Sequence, residues 1–485
     1  MRRWSLPDNP DLEWLRKQAK RIRDGVAARD PEALGLLAEY DPPVADAVSL
    51  ARAQRVLARA FGFADWAALR AHLATIERLT RTFDEPTDAG TDADRFLRLA
   101  CLDYARHDPS APAAARDLLV GHPEIATSGV ATLAVCGRTA ELAAALDADP
   151  DTANAETGPY RWPPLLYLAY ARLPDPGDVL GSTATLLEHG ADPDAGFLWH
   201  GLTSPFTALT GVFGGGERAE PPHPDGPAIA RLLLRAGADP NDNQTLYNRM
   251  FTPENDFLEV LFAFGLGTDR PSPWRDRLGA DAYPTPAQMV GEQLRSAAER
   301  GFTERVALLL AHGVDPDTTG YHPIHGDRNA YEVAVRSGQT AAADLLAAAG
   351  GTSERLGPAD RLLSAALAAD GPAVRAQLAA DPSLAATARR ERPGALVEAV
   401  QLGHDDAVPL LLELGFPVDG QDRFGSTALH EAAHAGRVDT VAVLLAAGAD
   451  PAVRERRFDG TPADWAAHAG HTELADRLRR QGPAS

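Results

Sequence analysis

Residues 425–482 spell one phrase twice: GSTALHEAAHAGRVDTVAVLLAAGADP from Gly425, then GTPADWAAHAGHTELADRLRRQG from Gly460. Thr427 and Thr461, Gly436 and Gly470, and Gly448 and Gly482 each lie 34 residues apart. A unit of ~33 residues that opens on a Thr-Pro-Leu-His-like tetrapeptide and closes on Leu-Leu-x-x-Gly-Ala-Asp specifies a pair of helices. One such pair cannot bury its own apolar face and must stack on its neighbours. The expected fold is therefore all-α: a solenoid of stacked helix pairs joined by inter-repeat loops. An array of this kind offers surface, so binding is a stronger expectation than chemistry.

Each letter of the phrase has a physical role. Thr427 suits the N-cap of the first helix, and Pro462 fills a first turn in which no N–H is needed. Gly436, Gly470 and Gly448 suit left-handed helix stops, where a side chain would cost roughly 1 to 2 kcal/mol. Val441, Leu444 and Leu445 supply the apolar stripe, and Asp450-Pro451 ends the helix in a turn. The same ending recurs before Gly415, Gly350, Gly313, Gly265, Gly237 and Gly190, and in worn form near Asp381, Asp149 and Pro123. Counted this way, the chain holds about 11 helix pairs.

These motifs closely resemble the ankyrin-repeat family at residues 425–482, and recognisably from about Arg95 onward. Degraded counterparts of the opening tetrapeptide stand at Ser204 (SPFT), Thr285 (TPAQ), Asn329 (NAYE) and Pro163 (PPLL). The resemblance implies an ankyrin-type α-solenoid over 95–485, with a concave face and loops that bind another macromolecule, most readily a protein. Intervals of 47 residues (Gly190 to Gly237) and 48 residues (Gly265 to Gly313) exceed the period. Insertions are therefore expected near 195–228 and 268–285, on the binding face.

Residues 1–82 read differently, as about four amphipathic helices broken at Asp30-Pro31, Asp41-Pro42-Pro43 and Gly62. Trp66, Leu69, Leu73 and Ile76 share one helical face. With LEWLRKQAK and GFADWAALRAHL as its marks, this segment resembles a helical leader of many bacterial ankyrin-repeat proteins. A small helical N-terminal domain is thus expected, followed by an acidic linker over 83–94, DEPTDAGTDAD from Asp84.

The formal charge of −21 disfavours nucleic acid, whose binding needs Lys and Arg on phosphates. Anionic membranes are disfavoured likewise. Residues 1–81 carry net +3, so an acidic partner is expected at the leader if anywhere. No apolar run reaches the ~20 residues that span a bilayer. The reading is a cytoplasmic monomer with no cofactor and no metal, and a heavy Ala and Arg usage suggests a GC-rich bacterial host. Cys101 and Cys136 are expected inside repeat helices as buried, reduced thiols.

His430-Glu431-Ala432-Ala433-His434 spells HExxH, the zinc-protease motif in which two histidines bind metal and the Glu is a general base. The repeat already explains four of the five positions: His430 belongs to the capping tetrapeptide, and the small residues and Gly436 stop are repeat features. Glu431 and His434 are then expected on the inner surface. His322, His325 and Asp327 crowd one loop, where a weak metal site competes with a polar finger. FGGGE at Phe213 lacks the strand and the Lys-Ser or Lys-Thr of a phosphate loop and reads as a flexible insertion. No catalytic residue is assigned.

Large aromatics fall in the predicted loops and insertions: Tyr160, Trp162, Trp199, Trp274, Tyr283, Tyr321, Phe424 and Phe458. Because Trp and Tyr dominate interface hot spots, Trp162, Trp199, His200, Trp274, Tyr321, Phe424, Glu431, His434 and Phe458 are the expected binding residues. The alternative is an enzyme or small-molecule binder, with the two insertions forming a pocket against the groove and His200, Glu217 or His325 as its polar groups.

Overall fold

The computed structural model describes residues 4, 6, 11–106, 108–279, 283–353 and 355–481. Gly482, the last predicted stop, lies outside them. Two compact units result, Met1–Met289 and Val290–Ser485.

The first unit opens with helices α1 (Leu12–Ala27), α2 (Pro31–Tyr40), α3 (Leu50–Ala60) and α4 (Trp66–Leu79). They end where the sequence breaks them. Asp30 caps α2 by accepting the Glu32 N–H, and Gly62 turns the chain after α3 at φ +87°. Leu15, Val26, Leu37, Val56, Leu57 and Leu69 are fully buried in a core that belongs to these helices alone. A second tie is ionic: Arg52, Arg55 and Arg59, on one face of α3, all bond the Asp41 carboxylate at 2.8 to 2.9 Å. The Arg55 hydrogen bond leads the interactions that hold Asp41 down at about 2, against the desolvation that opposes them.

Helix pairs follow. In the first unit the firsts and seconds are Asp92–Ala100 and Ala111–Gly121, Val130–Val135 and Thr139–Ala148, Pro164–Tyr170 and Val179–Glu188, Ala208–Phe213 and Gly226–Arg235, and Asn243–Arg249 and Asp256–Ala263. Helix Pro286–Arg300 spans the boundary and pairs with Thr303–Ala311, and the second unit runs on to Pro462–His468 and Thr472–Gln481 in the same rhythm, with one extra helix, Leu384–Glu391. Its core runs unbroken from Ala359 to Leu478. The architecture is an ankyrin-type solenoid of stacked pairs.

The predicted stops are left-handed: Gly190, Gly237, Gly265, Gly313, Gly350, Gly415, Gly436, Gly448 and Gly470 all have positive φ. Cys101 and Cys136 are buried and free, but each sits just past a helix end as its C-cap and not inside the helix. The worn opening at Ser204 also starts its helix later than expected. Thr207 is the N-cap, exchanging bonds with Thr210, so the helix begins at Ala208.

A stitch joins successive repeats. After four of the stops, Gly190, Gly237, Gly313 and Gly415, the Asx residue four positions on accepts the backbone N–H of the residue two positions after the next stop. Asp194 accepts from Asp239 (2.9 Å), Asn241 from Gly267 (2.9 Å), Asp317 from Thr352 (3.0 Å) and Asp419 from Asp450 (3.0 Å). The Gly-x-Asp-Pro-Asx spelling, present in three of these four turns, therefore both ends a helix and satisfies an amide of its neighbour.

One feature departs from an all-helical array. The 195–228 insertion folds as strands β2 (Gly196–Trp199) and β3 (Pro205–Thr207), antiparallel to each other, and β2 also pairs parallel with β1 (Thr80–Arg81) at the end of the leader. The glycine run that follows is not flexible: Gly214, Gly215 and Gly216 are buried with positive φ, and the amides of Gly215 and Gly216 donate to the carbonyls of Glu220 and Asn248. Those amides are committed to the fold and unavailable to a phosphate.

Candidate functional site

The loop aromatics divide into two groups by burial. Trp162 is 0% exposed and Trp274 is 2% exposed, so neither is a surface anchor, and Tyr160 and Tyr283 are buried with them. Trp162 stacks on Phe197 at 4.9 Å and touches Tyr160 and Tyr170. Phe83, the first residue of the expected linker, inserts beside Tyr160, Trp162, Phe197 and His200. The aromatic cluster thus fastens the leader and the insertion onto the first repeats. Trp274 does the same for 268–285, donating to the Asp194 carbonyl at 2.9 Å and packing on Gly196, where a Cβ would approach its ring to 2.8 Å. Loops of this size need a core of their own, and their largest rings provide it.

Trp199 and His200 are half-buried. The Trp199 indole donates to the Asp103 carbonyl at 3.0 Å, and the His200 ring rests edge-on against it at 4.4 Å. Glu217 accepts from the Tyr247 hydroxyl at 3.3 Å. The 195–228 insertion gives Glu220 and Pro221 to a cavity of about 230 Å³, to which no described residue of 268–285 contributes.

A larger recess lies in the second unit. It measures about 620 Å³ and is lined by first helices and fingers of successive repeats, from Glu299 and His325 at one end to Asp422 and Phe424 at the other. Acidic and basic side chains are mixed along it: Glu299, Arg328, Arg336, Arg392, Glu398 and Arg423. Arg392 pairs with Glu398 and donates to the Arg336 carbonyl at 2.7 Å, and Arg336 pairs with Asp360. His404 bonds the Ser337 carbonyl at 2.7 Å. These bonds set the groove wall before any partner arrives.

At one end His325 Nε2 is 3.7 Å from Glu299 Oε2. Burial, helped by Arg295 and other cations, pushes His325 down to about 4, while burial pushes Glu299 up. The imidazole is therefore neutral at pH 7, and the approach is a polar contact and not an ion pair. The finger that carries His325 is organised by two buried residues the sequence reading missed. Arg295, 0% exposed, pairs with Glu292 at 2.5 Å and donates to the carbonyls of His322 and Gly326, while Glu292 accepts the amides of Tyr321 and His322. Charges three residues apart in the otherwise buried stretch VGEQLRSAA were the available signal. Tyr321 is half-buried on this finger, and Asp327 accepts Arg355 through its carbonyl.

At the other end two successive fingers display an aromatic ring. Asp422 accepts the amides of Phe424 and Ser426, and Glu455 accepts those of Arg457, Phe458 and Gly460. The fingers so held leave Phe424 42% and Phe458 72% exposed, each capped by the preceding arginine, Arg423 at 4.6 Å and Arg457 at 5.2 Å.

The HExxH residues fall as the repeat dictates. His430 is fully buried; its Nδ1 accepts the Thr427 N–H at 3.2 Å, which leaves Nε2 to donate to the Gly460 carbonyl at 3.2 Å. Both ring nitrogens are committed to capping, so no lone pair is left for a metal. Glu431 is half-buried and accepts from Gln401 at 2.9 Å. His434 is exposed, with its ring edge-on to Trp465 at 5.8 Å.

Residues 362–455 and 396–484 match the family described as ankyrin repeats. This part of the chain carries ankyrin repeats. Over short stretches the chain is similar to larger curated proteins. A calmodulin-binding transcription activator of Oryza sativa subsp. japonica is 42% identical over 86 residues, 17% of this chain and 9% of that protein. A 2-5A-dependent ribonuclease of Mus musculus is 44% identical over 73 residues, 15% and 10% of the two chains. Protein HOS4 of Saccharomyces cerevisiae is 43% identical over 61 residues, 12% and 6%. The chain spans a tenth or less of the length of these relatives. Among the described residues, no helix is long and apolar enough to cross a membrane.

Proposed function

We propose that this chain is a non-catalytic scaffold that holds a protein partner in the groove of its second unit, with Phe424 and Phe458 as aromatic anchors. The observation that carries the reading is the repeated display of an arginine-capped, exposed phenylalanine on two successive fingers, one of which lines a groove of mixed charge. Exposed rings held rigidly by Asp422 and Glu455 lose little entropy on binding. The comparisons support the same class of function. A transcription activator and a ribonuclease are similar to this chain over 86 and 73 residues, a small part of either protein, so the likeness follows neither activity. Ankyrin repeats generally mediate protein–protein interaction, and the mixed charge of the groove suits a peptide or protein surface better than a polyanion.

The test is capture from the native host by the full chain, followed by titration of the partner recovered. Phe424→Ala with Phe458→Ala should weaken that partner by roughly thirtyfold, the worth of a ~2 kcal/mol anchor, without loss of folding. Unchanged affinity for the same partner would remove the groove from consideration.

A further inference from the structure

The segment expected to be an acidic linker, 83–94, is seated on arginines. The Glu85 carboxylate pairs with Arg98 at 2.5 Å, the Glu85 carbonyl accepts from Arg106 at 2.9 Å, and the Ala89 carbonyl accepts from Arg98. Beside Glu85 opens a cavity of about 180 Å³ lined by Arg81, Arg98, Arg106, Arg161, Phe83 and Tyr160. Arg98 and Arg106 also line the neighbouring cavity of about 230 Å³. Glu85, Asp103 and Glu156 are the carboxylates that pair with these four arginines. Without Glu85 the recess is net positive by two charges, on a chain whose formal charge is −21.

We propose that this arginine recess binds a carboxylate-rich peptide segment of a partner, and that Glu85 occupies it in cis until such a segment displaces it. The chain's own segment shows the mode, since the arginines read both the side-chain carboxylate and the backbone carbonyls of an acidic stretch. The two ends of the Glu85–Arg98 pair are unequal. Arg98 is 3% exposed and Glu85 is 72% exposed, so the guanidinium is fixed while its carboxylate is open to competition from water, salt or another acid. Arg161, 66% exposed at the cavity rim, stands where a second carboxylate would arrive, and the rings of Phe83 and Tyr160 give the floor on which a side chain would pack. A single small oxyanion fits less well. Arg81 already spends its donors on the carbonyls of Arg78, Thr80 and Arg161 and on Glu156, so the recess offers a spread of positive charge and not a tetrahedral cradle.

The probe is a fluorescein-labelled hexaglutamate peptide titrated into the full chain, with hexaglutamine and pyrophosphate as comparisons. Glu85→Gln should bind hexaglutamate more tightly than the unaltered chain, by up to about fivefold, the upper range of an ion pair open to solvent on one side. Arg161→Glu, at a side chain 66% exposed, should weaken it at least as much, and all binding should decline with salt. Phe424→Ala should change nothing, which separates this site from the groove. Equal affinity across the three proteins, binding of hexaglutamine as tight as hexaglutamate, or binding of pyrophosphate alone would overturn the proposal.

Discussion

At the scale of single residues, the same observation in the sequence, a large aromatic in a loop, led to two opposite positions. Phe458 and Phe424 stay at the surface because a carboxylate ties each finger into a short closed turn. Trp162 does not, because the loop that holds it is covered by Phe83 from the linker and Phe197 from the insertion. Residue type alone cannot distinguish these cases, since the covering groups come from 79 residues before and 35 residues after. The distinction is measurable. Trp162→Ala should destabilise the first unit by about 3 to 5 kcal/mol, as expected for emptying a buried ring site, and Phe458→Ala should cost under about 0.5 kcal/mol. Thermal or denaturant unfolding of the two variants checks this. Similar, small losses from both would show that Trp162 is not core.

At the scale of elements, the breaks between the first four helices were legible because their signals are local: Asp30 before Pro31, and Gly62 as a turn. The small sheet was not. β1 is two residues long and pairs with a strand more than 100 positions later, so no alternation announced it. Nor did spacing reveal that Asp41 would collect three arginines from α3. That cluster gives the leader an acid dependence. Asp41 sits at about 2 when folded, below its ordinary 3.8, so its stabilisation is complete above about pH 4 and is lost as pH falls from there through 2. Asp41→Asn should weaken the leader by about 1 to 2 kcal/mol at pH 7, allowing for solvent around the half-exposed Arg55 and Arg59, and should flatten its stability between pH 4 and 2. Leader-specific amide exchange read across that range is the measurement. An unchanged acid profile in the variant would assign the dependence to other carboxylates.

At the scale of the whole molecule, the period was legible where glycine, proline and small residues punctuate it, and the solenoid followed from the period alone. What the period did not disclose is how one repeat speaks to the next. The stitch from each Asx to the following turn adds a directional link to the shared apolar core, and in a linear array such links should act only on neighbours. Asp419→Ala deletes one of them, leaving the Asp450 amide without its acceptor at a cost of about 1 kcal/mol. Hydrogen exchange should then rise at Asp450 and across the helices Ala428–His434 and Val438–Ala446, which depend on that turn for their register. The stitch from Asp317 to Thr352 is intact in this variant, so the amide of Thr352 should keep its protection. If the loosening instead spread evenly from Val290 to the last described residue, the second unit would be one cooperative block and the stitches would be ornaments of a core that decides everything.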